Sequence, residues 1–280
     1  MSEAYALLDH GEGRKLESFG GVILDRPAPQ ATGPRRYPKA WGAAHASFLK
    51  GSGWRRLRPF DEPWRAKIDG IVLELALHAQ GQVGLFPEQG PNWRWLRDAV
   101  ASADRDLTML NVFAYTGGAT IAPLTVRVPH RVEVCHLDGS KGAVTIARRN
   151  TALNDLGDAP VRWLTDDALA FMKREKRRGR RYDGIVLDPP AFGRGPDGGQ
   201  WKLADSLPDL LALAADLLSE RPLLMLLSWH DPGLVSARAV AMMREALTGK
   251  SISSVRGLAL VLPCRGHGML AAGRSVRVLF

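Results

Sequence analysis

The sequence predicts an α/β protein in which a small, mostly β module precedes an open, seven-stranded sheet with helices on both faces. Three observations lead to this fold class. From residue 107 onward, short apolar runs alternate with helix-like segments, which is typical of parallel strands joined by helices. Several of these runs stop at an acidic residue. The length of 280 residues exceeds that of a usual single domain.

The amino-terminal part differs in composition from the rest and is rich in Gly and Pro. Strand candidates stand at residues 21–24 and 70–78, and long ordered loops are expected between them. We expect this module to span residues 1–95 and the larger domain to span residues 96–280.

A glycine turn interrupts the first strand of the larger domain. The apolar run that begins at Leu107 breaks at Thr116-Gly117-Gly118 and resumes as a helix through residue 124. A second run, residues 132–137, ends in Asp138, 21 positions after Gly117. In such a unit the acid reaches the ribose of a nucleoside bound over the turn. The dinucleotide-binding pattern Gly-x-Gly-x-x-Gly would need a third glycine where this chain has Ile121. A ligand without pyrophosphate, such as S-adenosylmethionine, is therefore favoured.

Acids also follow the third and fourth strands. Residues 161–164 lead into Asp166 and Asp167, where a carboxylate can accept a hydrogen bond from an adenine amine, and the next run ends in Asp188. Ligands bind open parallel sheets at these strand ends. For Asp167 the alternative is an ordinary helix N-cap, because a helical pattern follows at residues 168–176.

The fourth strand has an unusual ending. Residues 182–192 read Tyr-Asp-Gly-Ile-Val-Leu-Asp-Pro-Pro-Ala-Phe. Pro189 and Pro190 remove two backbone donors and fix the chain direction. We therefore expect Asp188 and two free carbonyls at the carboxyl edge of the sheet, with Phe192 close behind, an arrangement that suits a planar, amine-bearing substrate. The alternative is a strand followed by a plain Pro-Pro loop.

The remaining segments complete the sheet. They are a helix at residues 204–219, a strand at 223–227, a helix at 235–247, and strands at 257–262 and 274–280.

Four motifs of the larger domain resemble those of a known family. They are Asn-Val-Phe-Ala-Tyr-Thr-Gly-Gly at residues 111–118, His-Leu-Asp-Gly-Ser at 136–140, Asp-Asp-Ala-Leu-Ala-Phe at 166–171 and Leu-Asp-Pro-Pro-Ala-Phe-Gly at 187–193. They are similar to the successive motifs of class I S-adenosylmethionine-dependent methyltransferases, above all the group that contains the bacterial large-subunit ribosomal RNA methyltransferases. The resemblance covers residues 86–280 and implies a Rossmann-like sheet whose last two strands pair antiparallel.

The resemblance also implies a set of site residues. Asp138 would hold the ribose of S-adenosylmethionine, Asp167 the adenine, and Asp188 with Pro189 and Pro190 would face the methyl-transfer site. Phe192 and its loop are expected to exclude water from that site. The remaining cofactor contacts implied are Gln89, Phe113, Ala114, Tyr115, Thr116, Gly117, Ser140 and Asp188. For Gln89, the alternative is a linker pinned by neighbouring tryptophans.

The cysteines depart from part of this family. Relatives that methylate carbon-5 of cytosine use a cysteine after the strand equivalent to residues 223–227, because an unactivated ring carbon is a poor nucleophile. That strand leads here into Ser-Trp-His-Asp-Pro-Gly, and the two cysteines are Cys135 and Cys264. A nitrogen target is therefore favoured, because its lone pair attacks the methyl group directly once it is aligned. Attack by Cys264 is the minor alternative.

Three residues are candidates for substrate contacts. A glycine-rich segment, residues 192–201, is expected to close on the substrate. Within it, Arg194 is the candidate phosphate contact and Trp201 the candidate for stacking. His230 either removes a proton from a target amine or is a turn residue, and the turn is favoured.

The charge points to an acidic partner. The net charge is +9 and the pI is near 9.9, which favours nucleic acid. The basic run at residues 173–181 is interpreted as a solvated helix end. The amino-terminal module mixes basic and aromatic residues, as in RNA-facing surfaces, although its aromatics also suit a core: Arg35, Arg36, Tyr37, Lys39, Trp41, Phe48, Lys50, Trp54, Arg55, Arg56 and Arg58.

Other features set the cellular context. No run of 18 apolar residues occurs, and the amino terminus lacks a signal-peptide pattern. Two cysteines without paired spacing argue against a disulfide framework or a metal site. A cytoplasmic location is expected.

Together these features predict an S-adenosylmethionine-dependent methyltransferase that acts on RNA, with a base nitrogen of ribosomal RNA as the favoured target. Two alternatives stay open: a methyltransferase of the same fold that acts on a small molecule or protein, and an RNA-binding factor without turnover.

Overall fold

The computed structural model describes residues 4–194, 200–264, 266 and 268–280. The chain forms two compact units. One contains the residues up to Gly90 together with Val261–Ala272, and the other contains Pro91–Leu260 and Gly273–Phe280. The segment Val261–Ala272 therefore belongs to the first unit although it lies far along the chain, and the split after residue 95 stays a prediction.

The secondary structure consists of strands, α-helices and two short 3₁₀ helices at Pro38–Ala43 and Pro87–Gln89. In chain order the main elements are β1 (Tyr5–Gly11), β2 (Arg14–Phe19), β3 (Val22–Pro27), β4 (Ala46–Leu49), β5 (Gly53–Arg56), β6 (Trp64–Ile68), β7 (Ile71–Leu75), α1 (Gly90–Ala101), β8 (Leu107–Val112), α2 (Gly118–Leu124), β9 (Val132–Asp138), α3 (Lys141–Leu153), β10 (Val161–Thr165), α4 (Ala168–Arg177), β11 (Gly184–Leu187), β12 (Phe192–Arg194), β13 (Gln200–Lys202), α5 (Leu203–Leu217), β14 (Leu224–Trp229), α6 (Ser236–Ala246), β15 (Ser254–Cys264) and β16 (Gly268–Leu279).

The larger unit is built on a seven-stranded sheet in the order β10-β9-β8-β11-β14-β16-β15. The first five strands run parallel, and β16 pairs antiparallel with β14. This topology confirms the fold class predicted from the sequence. The carboxyl ends of β8, β9, β10 and β11 consequently meet at one edge, which is where ligands bind sheets of this kind.

Helices cover both faces of this sheet. Leu110 and Val112 of β8 pack with α4, α5 and α6, whereas Leu107 and Met109 pack with α1. β11 and β14 are buried along their whole length. Burial on both faces explains why these strands read as continuous apolar runs, and therefore why the sequence reveals them.

In its described part, the amino-terminal unit contains β1 to β7 and parts of β15 and β16, more than the two strand candidates that the sequence offered. β1 to β5 lie side by side in that order, and β6 pairs with β7. The sequence pattern of β1 and β2 is obscured by two fully buried acids, Asp9 and Glu17. Asp9 accepts hydrogen bonds from three backbone N–H groups and from Nε1 of Trp41.

Glu17 is compensated by cations. Burial favours its neutral form, but Arg26 and Lys15 hold the pKa of Glu17 below its usual value. A buried charge is tolerated because it is paired and hydrogen-bonded. An apolar pattern cannot reveal such a strand.

Several aromatic residues of this unit serve its core. Trp41 and Phe48 are each 8% exposed, so the core alternative applies to them and not base stacking. Tyr37 is 42% exposed. The basic residues around them stay accessible: Arg36, Lys39, Lys50, Arg55, Arg56 and Arg58.

Among the described residues, no helix is long and apolar enough to cross a membrane.

Candidate active site

A cleft of about 320 Å³ opens at the carboxyl edge of the parallel strands. Acids at the ends of β9 and β10 line it, and so does Pro190, two residues after Asp188. Its lining residues are Phe113, Leu137, Asp138, Gly139, Asp166, Asp167, Ala168, Pro190, Gly193 and Trp201. The cleft volume lies at the lower end of the range of small-molecule sites.

The turn after β8 has an unusual backbone. Phe113, Tyr115 and Gly117 have φ values of 60°, 47° and 94°. Residues other than glycine rarely adopt this left-handed region of backbone conformation. Such conformations persist only where the surroundings fix them, which is typical of functional sites. Ala114 N–H donates to the Leu137 carbonyl at 3.0 Å, and Asn150 Nδ2 donates to the Thr116 carbonyl at 2.8 Å. The turn is thus held from two directions.

Packing requires glycine at position 118. A Cβ atom at Gly118 would lie 2.1 Å from Cζ2 of Trp93, and one at Gly117 would lie 3.1 Å from Cβ of Ala147. The glycine pair therefore lets α2 approach Trp93 and α3 closely. The glycine pattern predicted a ligand-binding turn, and the contact with Trp93 is a second reason for glycine that the pattern did not indicate.

Asp138, the last residue of β9, forms a hydrogen bond with this turn. Its Oδ2 accepts the N–H of Tyr115 and its Oδ1 accepts the N–H of Ser140, each at 2.8 Å. Burial raises the pKa of Asp138, and these two backbone hydrogen bonds offset part of the rise. Ser140 is the N-cap of α3, with its Oγ accepting the N–H of Ala143. Asp138 lines the cleft while fixing the loop beside it.

Asp167 is the N-cap of α4. Its Oδ1 accepts the N–H of Ala170 at 2.8 Å, so the capping alternative describes one role of this residue. Asp167 also lines the cleft. Its neighbour Asp166 forms an ion pair with Arg174.

Asp188 stands directly after β11 and is tied to the next strand. The Ser228 hydroxyl, on β14, donates to Oδ1 of Asp188 at 2.8 Å. Ser228 is buried. Ser228 was not predicted as a site residue, because one hydroxyl at the end of an apolar run carries no signal of its own.

Trp201 joins the proline motif to the glycine turn. Its Nε1 donates to the Pro190 carbonyl at 2.7 Å, and its ring centroid lies 5.4 Å from that of Phe113. The Pro190 carbonyl, one of those expected to be free, is therefore occupied. Pro189 is buried and Pro190 is exposed.

The segment after the prolines is a short hairpin in its described part. Phe192 pairs with Lys202 and Gly193 with Trp201 across β12 and β13. Phe192 is 73% exposed. The side chain of Arg194 and residues 195–199 lie outside the described part of the chain, so the expected phosphate contact and the tip of the expected loop stay predictions.

Comparison with known proteins identifies the family. Residues 50–220 match the family described as S-adenosylmethionine-dependent methyltransferase. The chain belongs to this family. A solved S-adenosylmethionine-dependent methyltransferase from Agrobacterium tumefaciens is 35% identical, with a TM-score of 0.91 over 98% of this chain and 90% of that one.

Other relatives are more distant. The ribosomal RNA large subunit methyltransferase I of Tolumonas auensis is 30% identical over 48% of this chain and 32% of its own length. The corresponding enzyme of Aeromonas salmonicida is 30% identical over 47% of this chain and 31% of its own length. The match thus spans about a third of the length of these curated relatives.

Several residues proposed for this methyltransferase site are not among those that line the cleft: Gln89, Ala114, Tyr115, Thr116, Gly117, Ser140, Asp188, Pro189, Phe192 and His230. His230 is exposed at the end of β14, and its ring lies against the backbone of Gly273, where a Cβ atom would be 3.2 Å from Cδ2. Gln89 is buried in the amino-terminal unit. Their proposed roles stay predictions.

Neither cysteine of the methyltransferase lines the cleft. Burial raises the pKa of Cys135, within β9, to about 11. Cys264 packs in an apolar cluster with Leu7 and Leu262, and burial together with Asp9 raises the pKa of its thiol. A neutral thiol is a poor nucleophile. Within the described residues, no group of His, Cys, Asp or Glu could hold a metal ion either.

Proposed function

We propose that this methyltransferase modifies RNA, with ribosomal RNA as the favoured substrate and a base nitrogen as the favoured atom. The observation that carries the proposal is the hydrogen bond from Ser228 to Asp188, at the start of the proline motif whose Pro190 carbonyl accepts Nε1 of Trp201, which in turn packs against Phe113. It combines a carboxylate acceptor with aromatic surface at the edge where the cofactor cleft opens. A flat, amine-bearing base fits that chemistry.

The residues of the cleft fit the cofactor. When bound, S-adenosylmethionine supplies an electrophilic methyl group on a sulfonium sulfur. A carboxylate offers about four acceptor sites, so Asp138 can accept ribose hydroxyls beside its two backbone bonds. Asp167 can likewise accept the adenine amine beside its capping bond. Residues 113–117 would hold the methionine part, and Gln89 and Ser140 remain candidate contacts.

The transfer itself depends on positioning. Asp188 would accept an N–H of the target amine, which directs the nitrogen lone pair toward the methyl carbon. Ser228 holds this carboxylate in place. Trp201 and Phe113 exclude water from the same edge, and alignment of this kind provides much of an enzyme's rate enhancement. No thiol among the described residues lines the cleft, which supports direct attack by nitrogen over a covalent mechanism.

Three observations support RNA as the substrate. The named curated relatives act on large-subunit ribosomal RNA, the net charge is +9, and the amino-terminal unit exposes basic residues. Arg194, Trp201 and His230 are the proposed substrate contacts in the larger unit. RNA as substrate also favours the cytoplasm as the location.

Cofactor binding is the first test. Calorimetric titration with S-adenosylmethionine should give micromolar binding for the wild type and a loss of at least about tenfold for Asp138→Ala, because two hydrogen bonds to a charged group disappear with the ribose contacts. The matched control is Asp98→Ala, which removes an exposed acid from α1. If both variants bind equally well, Asp138 does not hold the cofactor.

Methyl transfer is the second test. Unmodified large-subunit ribosomal RNA, made by transcription, would be incubated with methyl-labelled S-adenosylmethionine and the protein, then digested to nucleosides for mass spectrometry. An N-methylated nucleoside supports the whole proposal, and a C5-methylated pyrimidine overturns the nitrogen target only. Absence of label from RNA, with cofactor binding intact, overturns the RNA substrate.

A further inference from the structure

A second cleft, of about 580 Å³, opens at the opposite edge of the parallel strands, where β9 and β10 begin. Its walls come from the starts of these strands and from residues 179–182, which follow α4. Four of its lining residues are arginines and one is an acid, so the lining carries a net charge of +3: Arg131, Arg162, Arg180, Arg181 and Glu133.

The two arginines of the loop keep their charge available. Arg131 pairs with Glu133 at 2.6 Å, and Arg162 pairs with the buried Glu175 at 3.0 Å. Arg180 and Arg181, by contrast, form no ion pair with any described residue. Uncompensated positive charge is therefore concentrated on one wall of the cleft.

The backbone holds this wall in place. Gly179 has a φ of 67° and ends α4, with its N–H donating to the Lys176 carbonyl, and the N–H of Arg180 donates to the Glu175 carbonyl, both at 3.0 Å. Tyr182, which follows Arg181, donates its N–H to the Leu217 carbonyl at 2.8 Å. The arginines are thus carried by a fixed segment, which lowers the entropic cost of binding.

Glu175 offsets the charge of Arg162 but not that of Arg180 and Arg181. Its buried carboxylate accepts the Tyr182 hydroxyl at 2.6 Å and pairs with both Arg162 and Arg178. Burial opposes ionisation, but these partners hold the pKa of Glu175 below its usual value. The acid is therefore satisfied beneath the cleft and does not face it.

The basic cleft is separate from the cofactor cleft. Arg131, directly before β9, lines the basic cleft, and Asp138, the last residue of β9, lines the cofactor cleft. A strand of this length spans about 20 Å. A single ligand that reaches both clefts must therefore be an extended molecule.

We propose that this basic cleft binds the phosphate backbone of an RNA strand, as a second contact for the RNA whose base enters the cofactor cleft. The inference rests on the proposed function. Arginine suits this role because its planar guanidinium bonds two phosphate oxygens at once. The contact would secure a part of the RNA distant from the modified nucleotide.

The test measures RNA binding by the full chain. Fluorescence anisotropy with a labelled single-stranded RNA of about 20 nucleotides would compare the wild type with the double variant Arg180→Gln/Arg181→Gln. The variant should bind about tenfold more weakly, and the slope of log affinity against log salt should fall by about 1.4, since each phosphate contact in single strands contributes about 0.7. Titration with S-adenosylmethionine should be unchanged, because the cofactor cleft lies at the other strand ends.

The control is Arg238→Gln/Arg244→Gln, which removes two exposed arginines from α6. Equal losses in both double variants would overturn the proposal, because general charge would explain them. Unchanged RNA binding by Arg180→Gln/Arg181→Gln, with methyl transfer to RNA intact, overturns this inference but not the proposed function. No RNA binding by the wild type overturns both.

One arm separates RNA from a small phosphate compound. Inorganic pyrophosphate would be titrated into the wild type and the Arg180→Gln/Arg181→Gln variant. Weak or no pyrophosphate binding, with strong RNA binding, supports the backbone contact. Pyrophosphate binding as tight as that of RNA, and lost in the variant, would mean that the cleft serves a free phosphate ligand.

Discussion

The Ser228 hydroxyl donates a hydrogen bond to Oδ1 of Asp188 at 2.8 Å, across neighbouring parallel strands. Ser228 is the first polar residue after the apolar run of β14, and Asp188 is the residue directly after β11. The bond therefore links two strand ends in the proposed methyl-transfer site.

Ser228→Ala should lower kcat for methyl transfer by roughly tenfold to a hundredfold, because a hydrogen bond to a charged group contributes about 1.5–3 kcal/mol. The affinity for S-adenosylmethionine should change by less than about twofold. Steady-state kinetics and calorimetry provide the two measurements. Ser275→Ala is the matched control: Ser275 pairs with Ser228 across the sheet, is equally buried, and its Oγ has no hydrogen-bond partner among the described residues. Equal effects of both substitutions would contradict a specific role for Ser228.

Gly118→Ala should destabilise the fold by about 1–3 kcal/mol, the usual cost of forcing a methyl group into a packed core. The added Cβ would meet the Trp93 ring at 2.1 Å. Gly142→Ala, on the exposed side of α3, should instead raise stability by about 0.5–1 kcal/mol, because alanine favours helix. Urea unfolding of both variants distinguishes the two cases, and a neutral Gly118→Ala would show that α2 has room to move.

Strands with apolar residues on both faces could be predicted from the sequence, whereas strands that bury charged residues could not. β8, β9, β11 and β14 are buried by packing on both faces, so their apolar runs identify them. β1 and β2 could not be found in the same way, because Asp9 and Glu17 are buried among partners that are distant in the chain.

The site shows the same division. The acids at the strand ends follow from the βαβ pattern, whereas the bonds from Ser228 to Asp188 and from Trp201 to Pro190 join segments that only the folded chain brings together. The roles assigned to the site residues remain predictions.

Acidification should destabilise the protein through His136. Burial, and then the charge of Arg148, lowers the pKa of His136 to about 3. The unfolded chain takes up a proton near pH 6.5 and the folded chain does not, so stability is full above pH 6.5 and falls as the pH decreases toward 3. At pH 5 the loss from this residue is about 2 kcal/mol, at 1.36 kcal/mol per pH unit.

Denaturant unfolding between pH 7.5 and pH 5 measures this loss. In His136→Gln, the free energy of unfolding should fall by about 2 kcal/mol less over this pH range than in the wild type. This holds even if the substitution lowers stability at every pH. His230→Gln, which changes an exposed histidine, is the control for the loss of an imidazole elsewhere in the chain. An unchanged slope in His136→Gln would mean that another group titrates.

Cys264→Ser should keep the wild-type rate of methyl transfer, because the thiol is buried in the amino-terminal unit and its pKa is raised. The same labelled-cofactor assay with RNA measures the rate. A fall of about a hundredfold or more, with normal cofactor binding, would restore the covalent mechanism at a ring carbon.

The pairing of Leu7 in β1 with Cys264 in β15 makes the amino-terminal unit discontinuous along the chain. A fragment that ends at residue 90 would lack β15 and would leave one edge of β1 without its neighbour. Unprotected edges of this kind promote aggregation by pairing with other chains. A soluble version of the unit alone would require residues 261–272 to be joined back to it, for example through a short linker or by circular permutation.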